Sequence, residues 1–99
     1  MAPKRGLILS PEDSVANVLE DVSAGEEIAA RLGDETAIVR AVESIPFGFK
    51  VALRDIAQGE PVRKYGEIIG KASQPIRAGS LVHVHNLEGA RGRGDLARP

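Results

Sequence analysis

Ninety-nine residues, 42% of them hydrophobic and 27% charged, make one small globular domain rather than two, and argue against a disordered chain. A domain of this size buries roughly two-thirds of the surface its unfolded chain exposes, enough for one core, but a substrate pocket with its supports usually needs more chain. Cysteine is absent, which removes disulfides, thiolate zinc sites and cysteine nucleophiles together, while a net charge of −1 and three aromatic side chains argue against nucleic-acid binding.

Residues 1–9 read as an N-terminal strand or tail. Only Gly6-Leu7-Ile8-Leu9 separates Lys4-Arg5 from the next polar stretch. That run is too short for a signal peptide or a membrane span, so a cytoplasmic protein with no membrane contact is expected. Ser10-Pro11-Glu12-Asp13 has the composition of a helix start. Val15, Val18, Leu19 and Val22 follow at helical spacing and predict a short helix. A rival strand reading comes from the likeness of Leu19-Glu20-Asp21-Val22 to Leu53-Arg54-Asp55-Ile56. Strands are predicted over 36–42, 50–56, 61–65, 67–72 and 80–85, with Pro61 and Pro75 at strand starts or edges. The domain proper is expected over 10–87, and 88–99 reads as a flexible Arg/Gly-rich tail.

Three stretches share one pattern: Asp21-Val22-Ser23-Ala24-Gly25-Glu26-Glu27-Ile28, Asp55-Ile56-Ala57-Gln58-Gly59-Glu60-Pro61-Val62 and Pro75-Ile76-Arg77-Ala78-Gly79-Ser80-Leu81-Val82. Each reads as a strand end, a tight turn whose glycine takes positive φ, and a new strand start. The glycine spacings of 34 and 20 differ, so there is no solenoid. A compact, mostly β domain of short strands and tight turns is expected, with one or two short helices at most. Charge is uneven along it: residues 1–40 carry a net −4 and residues 41–99 a net +3. The basic half suits an anionic substrate or an acidic partner surface, although solvated charge clusters explain the same asymmetry.

Candidate chemistry lies in that half. His83-Val84-His85-Asn86 holds both histidines of the chain. On a strand, His83 and His85 would share one face, toward a metal or a substrate, with Val84 toward the core. Two exposed strand histidines are the plain alternative, and a metal would need further ligands from Glu88, Asp95 or another chain. Lys64 beside Tyr65 can bind a carboxylate, or can be a surface lysine next to a half-buried tyrosine. Ile45-Pro46-Phe47-Gly48-Phe49-Lys50 is a turn with an aromatic lid, for which packing is sufficient explanation. In Arg91-Gly92-Arg93-Gly94-Asp95 the guanidiniums can fork onto carboxylates, or simply be solvated. The phosphate-binding glycine loops, the Gly-x-Ser-x-Gly elbow and His-Glu-x-x-His are all absent.

Taken in order, the stretches 45–53, 64–70, 83–86 and 91–95 resemble the N-terminal region of the altronate/galactarate dehydratase family, and the likeness covers about 10–95. The resemblance implies a SAF domain with the β-clip fold. It implies loss of water from a sugar acid to give a 2-keto-3-deoxy acid, with a divalent metal, Fe²⁺ or Mn²⁺. The chain would be a small subunit working with a large catalytic subunit, and an open strand edge would also allow a homo-oligomer. By the same resemblance His83 and His85 would be metal ligands or acid–base groups, and Asn86 would orient substrate or a histidine. Lys64 and Tyr65 would support the site, and Arg91 and Arg93 would close over the substrate or dock on the partner. The family commonly has His where this chain has Phe49, which can neither ligate nor carry a proton. A sulfolactate sulfo-lyase small subunit is the alternative within the enzyme class. A non-catalytic SAF module for a carbohydrate or protein ligand is the alternative outside it.

Overall fold

The computed structural model describes residues 2–89. These form nine short strands: β1 Lys4–Leu7, β2 Val15–Val18, β3 Glu27–Leu32, β4 Glu35–Arg40, β5 Lys50–Ala52, β6 Pro61–Lys64, β7 Glu67–Ala72, β8 Leu81–Val82 and β9 Leu87–Gly89. Six strands join in the order β4-β3-β1-β2-β5-β8, and three in the order β6-β7-β9. All pairings are antiparallel except β1 with β3.

The cores follow from side-chain alternation. One face of the large sheet packs Ile8, Val18, Ile28, Val39, Ile45 and Val51 together. Val15, Ala52, Ile56, Val62, Ile76 and Val82 fill a second core that reaches the small sheet. Strands β2 and β5 feed both cores, with Ala16 and Val51 in the first and Val15 and Ala52 in the second.

That double burial explains why no helix forms at 15–22, where one was expected. A strand covered on both faces loses its apolar/polar alternation, and its apolar residues then mimic helical spacing. The helix-start residues make a turn instead. The Asp13 N–H donates to the Ser10 carbonyl at 3.0 Å, and the Asp13 carboxylate accepts the N–H groups of Leu9 and Ser10 at 3.3 and 3.2 Å. Aspartate favours such turns for the same reason that it caps helices. The expected strand at 67–72 is β7, and Pro61 opens the edge strand β6, whose missing N–H costs no pairing there. The strands expected at 50–56 and 80–85 stop early, as β5 and β8.

The turn pattern read three times occurs four times. Val22 bridges to Ile45, and Ile56 to Ile76. The glycines three residues later, Gly25, Gly48, Gly59 and Gly79, have φ of 90°, 87°, 84° and 89°, a region closed to most side chains. The fourth copy, Ile45-Pro46-Phe47-Gly48, is hidden by its phenylalanine at a position that is small or polar in the others. The two pairs relate two similar halves. The Phe47 N–H donates to Asp21 at 2.8 Å and the Ala78 N–H to Asp55 at 2.9 Å. Likewise Ser23 N–H donates to Glu26 at 2.7 Å and Ala57 N–H to Glu60 at 2.9 Å.

Candidate functional site

The histidine loop begins where β8 ends. His83 and His85 lie not on a strand but in a turn, closed by the Asn86 N–H donating to the His83 carbonyl at 3.1 Å. Asn86 builds that turn. Its Oδ1 accepts the His83 N–H at 3.0 Å and its Nδ2 donates to the Leu81 carbonyl at 2.9 Å. It is buried, and both ends of its amide serve backbone, so its part is to hold the loop. The loop in turn presents both imidazoles to the exterior. Val84, expected to face the core, is 80% exposed. The strand expectation failed because an asparagine that satisfies two backbone groups can replace ladder hydrogen bonds. His83 lies edge-on to Phe49, with ring centroids 4.9 Å apart. This contact joins two separate sequence motifs.

Lys64 and Tyr65 sit on the β6–β7 hairpin. Tyr65 and Gly66 have φ of 59° and 74°, the two positive values of a type I′ turn. Few residues other than glycine or asparagine adopt this conformation. It is held by Asp13, whose second oxygen accepts the Gly66 N–H at 2.8 Å. Buried Ser14 adds to the hold by accepting the Arg63 N–H at 3.2 Å. Tyr65 is exposed, and the Lys64 Nζ lies 3.3 Å from the centroid of its ring, a cation–π contact.

The sequence reading gave Lys50 no role. It opens β5, in register with Asn17 on one side and Val82 on the other. Burial, and then the like charge of Lys64, push its ammonium below the ordinary lysine value, while Tyr65 acts the other way. The available signal was its place at the end of the 45–50 motif, immediately after an aromatic turn. Two side-chain pairs therefore emerge, Phe49 with His83 and Lys64 with Tyr65, and Lys50 adjoins the first along the chain. Arg91 and Arg93, with the tail from residue 90 onward, lie outside the described residues.

A bound metal generally needs three or four protein donors. No group of three His, Cys, Asp or Glu that could hold one exists among the described residues. His83 and His85 thus supply at most two donors and do not fit a metal by themselves. A groove of about 250 Å³ between Ile8, Pro11, Leu32, Thr36 and Leu53 contains none of the candidate residues. Among the described residues no helix is long and apolar enough to cross a membrane.

Short strands in two sheets, without a helix among the described residues, make a small mostly-β domain, consistent with the SAF class. Within that class the chain belongs to the altronate/galactarate dehydratase SAF domain family, whose profile matches residues 4–90. It is 41% identical over 76 residues to the (2R)-sulfolactate sulfo-lyase subunit alpha of Chromohalobacter salexigens, covering 75% of this chain and 81% of that one. It is 37% identical over 77 residues to the altronate dehydratase of Bacillus subtilis, covering 78% of this chain. With the Escherichia coli altronate dehydratase the identity is 42% over 74 residues, covering 75% of this chain. The chain spans only 15% and 14% of those two dehydratases.

Proposed function

We propose that this chain is the small subunit of a sugar-acid dehydratase of the altronate/galactarate type, acting with a large catalytic subunit in the cytoplasm. The family profile supports the dehydratase type, and the pattern of coverage carries the small-subunit role. The chain aligns with most of a protein named as a subunit, yet with about one-seventh of single-chain dehydratases. The open histidine loop supports it. Both imidazoles and a highly exposed valine stand on one turn, as suits a surface that another chain covers.

In this reading a base removes the proton beside the substrate carboxylate and an acid protonates the departing 3-hydroxyl. His83 and His85 would be the acid–base groups that carry those protons on this chain. Lys64 and Tyr65 would hold the carboxylate, Asn86 the loop, and Arg91 and Arg93 would close over substrate or partner. A divalent ion, Fe²⁺ or Mn²⁺, would need its further donors from the large subunit.

A second reading, elimination of sulfite from sulfolactate, is favoured by one finding: the sulfo-lyase subunit alpha is the relative matched over 81% of its length. One experiment separates the two. The chain is co-expressed with a large subunit and assayed on altronate, galactarate and sulfolactate with Fe²⁺ or Mn²⁺. A 2-keto-3-deoxy acid is the expected product. Sulfite release without dehydration would replace the first reading by the second, and an inactive pair would leave only a non-catalytic SAF module.

A further inference from the structure

Open strand edges invite pairing with other chains, and proteins blunt them with short strands, proline or bulges. Among the described residues the two sheets end on β4, β8, β6 and β9, and three of these edges are blunted. β8 has two residues and β9 three, while β6 opens on Pro61 and carries a bulge between Val62 and Arg63. β4 is the exception. Its six residues, Glu35–Arg40, pair with β3 without a register shift, and Thr36, Ala37 and Ile38 in its middle are exposed. It has no proline, glycine or lysine, and its charges stand only at its two ends.

The Ala41 N–H donates to the Glu26 carbonyl at 2.9 Å. The odd residues of β4 therefore face β3, and the even ones, Thr36, Ile38 and Arg40, face outward. At the Arg40 end the edge is covered, because the Val42 N–H donates to the Gly79 carbonyl at 3.0 Å and Gly79 lies against the Arg40 carbonyl. Thr36 and Ile38 keep two N–H and two C=O groups that bond nothing among the described residues. One antiparallel register of β4 with itself uses these four groups alone. It sets Thr36 opposite Ile38 of a second copy, and Ala37 opposite Ala37 on the two-fold axis. Alanine fits the close approach of a non-hydrogen-bonded pair, about 4.5 Å between Cα atoms. The same register brings Asp34 of each copy beside Arg40 of the other, so opposite charges meet twice. Asp34 takes part in none of the four ion pairs of the described residues, and the Arg40 pair with Glu27 is an exposed one of 3.4 Å.

We propose that β4 is the edge through which two copies of this chain dimerise, as one antiparallel sheet continued across a two-fold axis. The dimer does not depend on the lyase reading. It assigns an occupant to the long, unblunted edge and a role to the exposed Ala37 and Ile38 within it.

The full 99-residue chain has no cysteine, so one introduced thiol reports the register. Ala37→Cys is expected to form a disulfide-linked dimer under mild oxidation, because its Cα separation lies within the disulfide range. Ile38→Cys, displaced from its own copy, should cross-link about tenfold more slowly. In sedimentation equilibrium the unmodified chain should rise with concentration from 10.5 kDa toward twice that mass. Asp34→Arg sets like charges together and should weaken dimerisation about tenfold. Ile38→Pro removes an outward N–H that β3 does not use and should leave a folded monomer; if that variant fails to fold, the two cysteine variants decide. A mass of 10.5 kDa at every concentration, a folded Ile38→Pro chain that still dimerises, or Ile38→Cys cross-linking as fast as Ala37→Cys would overturn the proposal. So would Thr36 and Ile38 amides that gain protection from hydrogen exchange only when a large subunit is added, since the edge would then belong to that chain.

Discussion

The first half of the fold turns at Gly25 and Gly48, the second at Gly59 and Gly79, and the aspartates and glutamates supporting these turns are interchangeable in role. The hairpins between the turns are not. In the first half, β3 and β4 run six residues each, and most of β4 is exposed. In the second, β6 has four residues, its turn is fastened to Asp13, and it carries Lys64 and Tyr65. Positions that repeat between the halves build the scaffold, and positions that break the repeat hold the candidate chemistry.

The same turn glycine has different surroundings in the two halves, which gives the largest expected effect. A Cβ on Gly79 would collide with the Arg40 carbonyl, whereas a Cβ on Gly48 would meet open space. Gly79→Ala should cost more than about 4 kcal/mol. Gly48→Ala should cost about 1–2 kcal/mol, the backbone penalty alone. Urea denaturation measures both, and equal losses would mean that the halves are less distinct than their surroundings imply.

Asn86 comes next. Asn86→Ala removes two hydrogen bonds to backbone at a buried position, and a loss of about 2–3 kcal/mol is expected in the same assay. A loss below about 0.5 kcal/mol would show that the histidine loop stands without it.

The repeated aspartates test the likeness directly. Asp21→Ala and Asp55→Ala each remove one bond to a turn amide, so each should cost about 1 kcal/mol. Values that differ by more than about 1 kcal/mol would break the equivalence.

Lys50 stands where the second half has Leu81, because the Phe49 and Ser80 N–H groups close equivalent turns on the carbonyls of Pro46 and Arg77 at 3.0 Å. Lys50→Leu should leave stability unchanged or raise it by about 1 kcal/mol, and a clear loss would mean that the lysine serves the fold.

The smallest effect is at acid pH. Glu60 is held below the ordinary carboxylate value by the Ala57 N–H and then by Arg54, and Glu20 by the Arg5 N–H and then the Arg5 side chain. A lowered folded-state pKa means that the unfolded chain takes up protons first. Their stabilisation is therefore present above pH 4.5 and is lost as pH falls through the folded-state values. Glu60→Gln and Glu20→Gln should flatten that limb in a series of urea melts between pH 6 and pH 3, and a limb as steep as in the unmodified chain would count against these bonds.

Much of this was legible in the sequence because it is local. Glycine three residues after a β-branched residue marks a turn, since backbone conformation there depends on the residue itself. Pro61 marks an edge strand, and the four motifs mark the family. Local rules failed where burial overrode them. Val15–Val18 looks helical because two cores cover the strand, and 83–86 looks extended because nothing local shows that Asn86 will satisfy the chain around it.

The sequence by itself determined a small, turn-rich β domain of the dehydratase SAF family and the motifs that matter in it. Only the tertiary structure decided which motifs meet. Residues 49 and 83 become neighbours because β5 pairs with β8, and Asp13 and Ser14 come to hold the β6–β7 hairpin from 53 and 49 residues away in sequence. Strand pairing across the fold depends on how whole faces bury, and no short stretch of sequence contains that information.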